Sequence, residues 1–127
     1  MNTHKPNGYN ALSPYFLVDD ADALLDQLEQ IFTTKRLRRY NHDDGKIMHA
    51  ELMIEDSVIM ISSARKEFPA HTLMLHVYVP NVDLTFKKAM DAGCEKIDEP
   101  VKKSDPDKRG SFYDLAGNYW SVATQID

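Results

Sequence analysis

Two apolar runs in this chain, Leu12 to Val18 and Leu73 to Val79, end on valines that lie 61 residues apart. Each run reads as a strand, and each is followed by helical spacing. After the first, Asp19-Asp20 favours the positive end of a helix dipole. Ala21, Leu24, Leu25, Leu28 and Ile31 then recur along one face to about Phe32. After the second, Pro80-Asn81 breaks the strand, Val82, Phe86, Ala89 and Met90 share a helix face, and Gly93 ends it. Asp22 and Asp83 occupy the same helix position, again 61 apart. Three strand candidates follow each helix. In the first half they are Lys35 to Tyr40, Ile47 to Ile54 and Val58 to Ile61. In the second they are Glu95 to Val101, Gly110 to Tyr113 and Asn118 to Thr124. The order strand, helix, three strands thus occurs twice, joined by a linker around Ala64 to His71. Such a unit cannot bury its own sheet face alone, so it packs against its twin. The prediction is a single α+β domain, with module one at about 11–64 and module two at about 72–126.

The turns agree with that layout. Asn41 to Gly45, Glu55-Asp56 and Ser104 to Asp107 are clusters of turn-forming residues. Phe112 to Ala123 reads as a closing hairpin: Asp114 suits the first position of a type I turn, and Gly117 a positive φ that closes it with a bulge. At the same offset of 61, Ala116-Gly117 matches Glu55-Asp56.

Composition excludes several classes. At 127 residues there is room for one core. A net charge of −5 argues against nucleic acid, whose binding rewards a basic face, and is compatible with a neutral or, better, a cationic small ligand. No apolar run reaches 18 residues, so no membrane span is expected. Met1 to Asn10 is polar and lacks the apolar stretch of a secretory leader. Cys94 is the sole cysteine, which excludes an internal disulfide and fits a reducing, cytoplasmic setting. Arg36, Arg38 and Arg39 read as a solvated strand edge that discourages strand addition. There is no glycine-rich phosphate loop before a helix and no nucleophile elbow.

Tyr113-Asp114-Leu115-Ala116-Gly117-Asn118-Tyr119-Trp120 is similar to the Asp-Pro-x-Gly-Asn-x-Trp ending of the vicinal oxygen chelate superfamily, with Leu115 in place of proline. His49-Ala50-Glu51-Leu52 followed by Asp56-Ser57-Val58-Ile59-Met60 resembles its PhnB-like branch, within the glyoxalase and bleomycin-resistance proteins. With the paired layout, the resemblance covers about Leu12 to Thr124. It implies two βαβββ modules forming an eight-stranded curled mixed sheet round a cleft, helices on the outer face, and a homodimer.

The superfamily's enzymes hold a divalent metal on the first and fourth strands of each module. Carried over at the 61-residue register, those positions are Ser13, Met60, Met74 and Ser121. Two hydroxyls and two thioethers fit neither a hard cation nor zinc, and Ser121 stands where the resemblance expects a catalytic carboxylate. No metal is therefore expected at the usual positions. A displaced divalent-metal site could draw on His49, Glu51 and His76. His49 and Glu51 are two apart on a strand, hence on one face. If Glu55-Asp56 is a two-residue turn, Glu51 pairs with Met60, and His49 and Glu51 face the cleft while Ala50, Leu52, Ile59 and Ile61 face a helix. Strand parity lines the cleft with Tyr15, Met60, Met74, His76 and Tyr78, and with Tyr119 and Ser121 from the last strand. The methionines, including Met48, Met53, Met60 and Met74, would make an adaptable apolar lining if they face the cleft. The reading is a metal-free protein that binds a small organic molecule. Two alternatives stand beside it: a lyase or isomerase of the glyoxalase type using a displaced metal or His49 and Glu51 as an acid-base pair, and a non-enzymatic interaction or regulatory protein.

Overall fold

The computed structural model describes residues 4–127; Met1, Asn2 and Thr3, part of the polar segment considered above, lie outside the described residues. Module one runs β1 (Tyr15–Val18), α1 (Ala21–Ile31), β2 (Thr34–Asn41), β3 (Ile47–Ile54) and β4 (Ser57–Ser63). Module two runs β5 (Met74–Tyr78), α2 (Val82–Asp91), β6 (Glu95–Lys102), β7 (Asp107–Tyr113) and β8 (Tyr119–Gln125). The eight strands divide into two four-stranded sheets, ordered β1-β4-β3-β2 and β5-β8-β7-β6. In each, the first strand runs parallel to the last and the remaining pairs are antiparallel.

Local chemistry accounts for the boundaries. The Asp20 carboxylate accepts the Ala23 N–H at 3.1 Å, and the Asn81 side chain accepts the Leu84 N–H at 3.1 Å, so each helix starts on a side-chain cap. Gly93, at φ 90°, turns the chain out of α2 in a conformation that side-chain-bearing residues rarely adopt. β1 starts at Tyr15, three residues later than the apolar run suggests, and β7 takes in Asp107, which the sequence places in a turn.

The inward faces of both sheets and the apolar faces of both helices share one core. Trp120 sits at its junction, stacked on Phe16 with ring centroids 5.9 Å apart and tilted against Phe32 at 5.2 Å. Gln27, buried on α1, links the modules. Its Nε2 donates to the Ala92 carbonyl at 3.1 Å and its Oε1 accepts the Leu115 N–H at 2.8 Å.

The 61-residue register holds for the parallel ladders: Tyr15 pairs with Met60, and His76 with Ser121. The hairpins differ. Ile54 pairs with Ser57 across Glu55-Asp56, whereas Asp114 N–H bonds the Asn118 carbonyl at 3.0 Å across Leu115-Ala116-Gly117. The extra residue is absorbed by Gly117 at φ 85°, a bulged closure. β7 therefore follows β3 at an offset of 60, not 61, and Ser111, opposite Ser121, stands where Glu51 stands opposite Met60.

Candidate functional site

Alternate residues of each sheet point away from the shared core, which leaves every module with an open face. On module one the predicted two-residue turn is present, and Glu51 pairs with Met60. Ala50, Leu52, Ile59 and Ile61 are buried in the core, so His49, Glu51, Met60 and Ser62 take the other side. A bulge adds one more residue. Tyr40 pairs with His49 and Asn41 with Ile47, leaving Met48 unpaired. Ile47 and Ala50 are both buried although three apart, so Met48 and His49 both lie on the open face.

A chain of hydrogen bonds crosses this face. Ser62 Oγ donates to the Met48 carbonyl at 2.8 Å, which uses its only hydrogen. Tyr15 therefore donates to Ser62 Oγ, at 2.6 Å, and offers only lone pairs to His49 Nδ1 at 2.9 Å. Nδ1 must donate. His49 Nε2 meets Glu51 Oε2 at 2.8 Å, and Tyr9 OH donates to Glu51 Oε1. Burial alone would raise the Glu51 pKa, but donation from His49 and Tyr9, with the charges of His49 and Arg38, outweighs it and holds the carboxyl below its ordinary value. Both ring nitrogens of His49 thus face oxygen partners. Tyr9 in turn has its pKa raised, by burial first and then by Glu51. Its ring lies under Arg38, the guanidinium carbon 5.7 Å from the ring centroid.

Beside this chain, and sharing Tyr15 and Ser62 with it, is a cavity of about 510 Å³. Leu17, Met48 and Phe68 supply apolar wall, and Ser63 a further hydroxyl; His42, Arg65 and His71 complete the lining. The linker is held in place over β1. Ala64 N–H bonds the Val18 carbonyl at 2.8 Å and His71 N–H bonds the Leu17 carbonyl at 3.1 Å. Between them Arg65 and Phe68 exchange backbone bonds of 2.9 and 3.0 Å, a tight turn that sets both side chains on the cavity. The size is that of pockets which take small organic molecules.

The open face of module two has different chemistry. His76 Nδ1 bonds Ser121 Oγ at 3.0 Å, and its ring meets Tyr78 edge-on at 4.7 Å. Burial first, then the Arg109 charge, lowers the His76 pKa. Tyr78 OH donates to Asp107 Oδ2 at 2.7 Å, which raises the phenol pKa, and Arg109 also donates to Asp107, at 3.2 Å.

The residues expected to line one cleft are distributed among several places. Tyr15 lines the 510 Å³ cavity. His76 and Tyr78 line a broad groove of about 990 Å³ between β5 and the segments around Leu12, Pro14 and Ile54 to Ile59. Tyr119 borders a third hollow with Asp98, Asp105 and Arg109. Met60 and Ser121 lie on the two open faces, and Met74 is 77% exposed on the edge strand β5. Of the three candidates for a displaced metal site, His49 and Glu51 meet on the first sheet, while His76 lies on the other and bonds Ser121 there. Among the described residues no three His, Cys, Asp or Glu side chains are grouped to hold a metal ion. At the family positions, Ser13 precedes β1, Met60 pairs with Tyr15, Met74 with Tyr119 and Ser121 with His76. Two hydroxyls and two thioethers remain an unsuitable donor set. Met48, expected among the lining methionines, reaches the site through the bulge, whereas Arg65, Phe68 and His71 carry no periodic signal and are brought there by the turn.

No protein-family model matches the chain. An uncharacterized protein of Mycobacterium tuberculosis, Rv0887c, is 28% identical, with 91% of this chain and 75% of that protein covered. Among solved structures, TioX from Micromonospora sp. ML1 is similar at a TM-score of 0.79 and 20% identity, over 92% of this chain and 99% of TioX. A PhnB protein from Bacillus cereus, a putative 3-demethylubiquinone-9 3-methyltransferase, has a TM-score of 0.71 at 14% identity, over 91% and 99% of the two chains. A glyoxalase/bleomycin resistance protein/dioxygenase family enzyme from Burkholderia phytofirmans PsJN has a TM-score of 0.69 at 15% identity, over 88% and 95%. The chain has the fold of the glyoxalase/bleomycin resistance/dioxygenase proteins, the architecture of the vicinal oxygen chelate superfamily.

Proposed function

We propose that this chain binds a small organic molecule on the open face of module one and does so without a metal at the superfamily's usual positions. One observation carries the reading: a cavity of about 510 Å³ has Leu17, Met48 and Phe68 for walls and the hydroxyls of Tyr15 and Ser62 at its side. Apolar walls with a few oriented polar groups are how proteins hold small ligands, and Met48 can adapt its shape to them. A thermal-shift screen of neutral, cationic and anionic organic molecules tests it. Binders should raise the melting temperature of the wild type and leave Met48→Trp, whose indole intrudes on the cavity, unmoved. No shift with any class would overturn the reading and favour an interaction protein.

The second reading, acid-base chemistry by His49 and Glu51, rests on their 2.8 Å contact. Both Glu51 oxygens are already occupied and its pKa is lowered, which suits holding a charge better than taking a proton. Cytoplasmic location belongs to the same proposal; no helix among the described residues is long and apolar enough to cross a membrane. So does a homodimer. β5 is an edge strand carrying Met74 and Tyr78 at 77% and 57% exposure, and a second copy would cover it. Light scattering should give twice the 14.5 kDa of one chain, and a mass of one chain would sink the dimer.

A further inference from the structure

The charge of the cavity lining has a sign opposite to that of the chain. The chain carries −5, yet no Asp or Glu lines the cavity, while His42, Arg65 and His71 do. Arg65 Nε donates to His42 Nε2 at 2.9 Å, which fixes the plane of the guanidinium. Its other polar contacts among the described residues are the backbone bonds to Phe68, so the terminal nitrogens have no carboxylate partner. Asp44 feels its charge without bonding it, and that carboxylate accepts the Lys46 N–H at 2.9 Å. Of the other arginines, Arg36 has Glu29 and Asp26, Arg39 has Asp22, Arg109 has Asp105 and Asp107, and Arg38 lies over the Tyr9 ring. Arg65 differs from them, and it is the one that borders a cavity with apolar walls.

We propose that the ligand is a small organic anion, a carboxylate, sulfonate or phosphonate with an apolar or aromatic body. The body lies against Met48, Phe68 and Leu17. The acid group takes the terminal nitrogens of Arg65, a planar fork suited to two anionic oxygens, within reach of His71 at the rim. This rests on the reading of the cavity as a binding site and adds the ligand's charge. It replaces the cationic ligand expected from net charge, because a ligand responds to the groups within a few ångströms and not to the sum over the chain.

The test compares two fluorescent probes with the same body, 1-anilinonaphthalene-8-sulfonate and the neutral N-phenyl-1-naphthylamine, on the full chain. In the wild type the sulfonate should bind about tenfold more tightly. Arg65→Gln should weaken the sulfonate about tenfold and leave the neutral probe within about twofold, and Arg65→Lys should recover part of the loss. Met48→Trp should abolish both. If both probes bind equally, or Arg65→Gln changes nothing while Met48→Trp still abolishes both, the cavity binds ligands but the anion assignment is wrong. If neither probe binds, or Met48→Trp has no effect, the cavity reading falls with it.

Discussion

His49 and Glu51, two residues apart on one strand, meet through Nε2 and Oε2 at 2.8 Å with the carboxylate buried and Tyr9 capping its second oxygen. The Glu51 pKa is lower folded than its ordinary 4.5, so the pair contributes stability above that value and loses it as pH falls through the folded pKa. Glu51→Gln should cost about 1–3 kcal/mol near neutral pH by urea unfolding. The gap to the wild type should close below about pH 4.5. A gap that widened with acid would contradict the sign.

The direction of the hydrogen bonds is itself measurable. Nitrogen NMR should find a proton on His49 Nδ1, because Ser62 and Tyr15 leave it only lone pairs to meet. In Ser62→Ala the Tyr15 hydrogen is free to turn toward Nδ1, and the Nδ1–H signal should weaken. Unchanged nitrogen shifts in that variant would break the inferred order.

Leu115 stands where the resembling motif has proline, and the structure gives the reason. Its N–H donates to Gln27 Oε1 at 2.8 Å, a bond proline cannot make. Leu115→Pro should fit the turn sterically and still destabilise by about 1–3 kcal/mol, because the buried Gln27 carbonyl loses its donor. In Gln27→Met that penalty should shrink. A double-mutant cycle with no coupling between the two positions would refute the link.

Asp114 accepts the Trp120 indole N–H at 2.7 Å, the Asn118 amide nitrogen on both carboxylate oxygens at 3.0 and 3.2 Å, and two backbone N–H groups. Asp114→Ala should strand these donors in the core and cost about 3 kcal/mol or more, with a matching fall in melting temperature. A loss under about 1 kcal/mol would mean the core relaxes around them.

Burial, and after it the Asp114 charge, push the Cys94 thiol up to about 12. The native protein at pH 8 should therefore react with a thiol reagent only at its unfolding rate, and the unfolded chain at once. Fast native labelling would show that the helix end opens on its own.

The backbone was readable from particular residues. The Glu55-Asp56 turn set the β3–β4 register, and that register correctly sent Glu51 outward and Leu52 inward. Parity failed at Met48, because one unpaired residue shifts a face and nothing in its type announces it. Tyr9 and Arg65 were out of reach for another reason. They sit in irregular segments without a period: backbone bonds to β1 place the linker of Arg65, and the bond to Glu51 places Tyr9. Net charge is a sum over the whole chain and says nothing of this cavity, which is lined without Asp or Glu.

The one-residue difference between the hairpins has a further consequence. An insertion into a strand would reverse every side chain before it, but placed at Gly117 it leaves Phe112 inward and Tyr113 outward. β7 could thus drift by a position without harm to the core. With the shift, Arg109 and Ser111 occupy the places that His49 and Glu51 hold in the other half. The halves are repeats in backbone and strangers in chemistry: one face holds a proton between imidazole and carboxylate, the other a guanidinium against an aspartate.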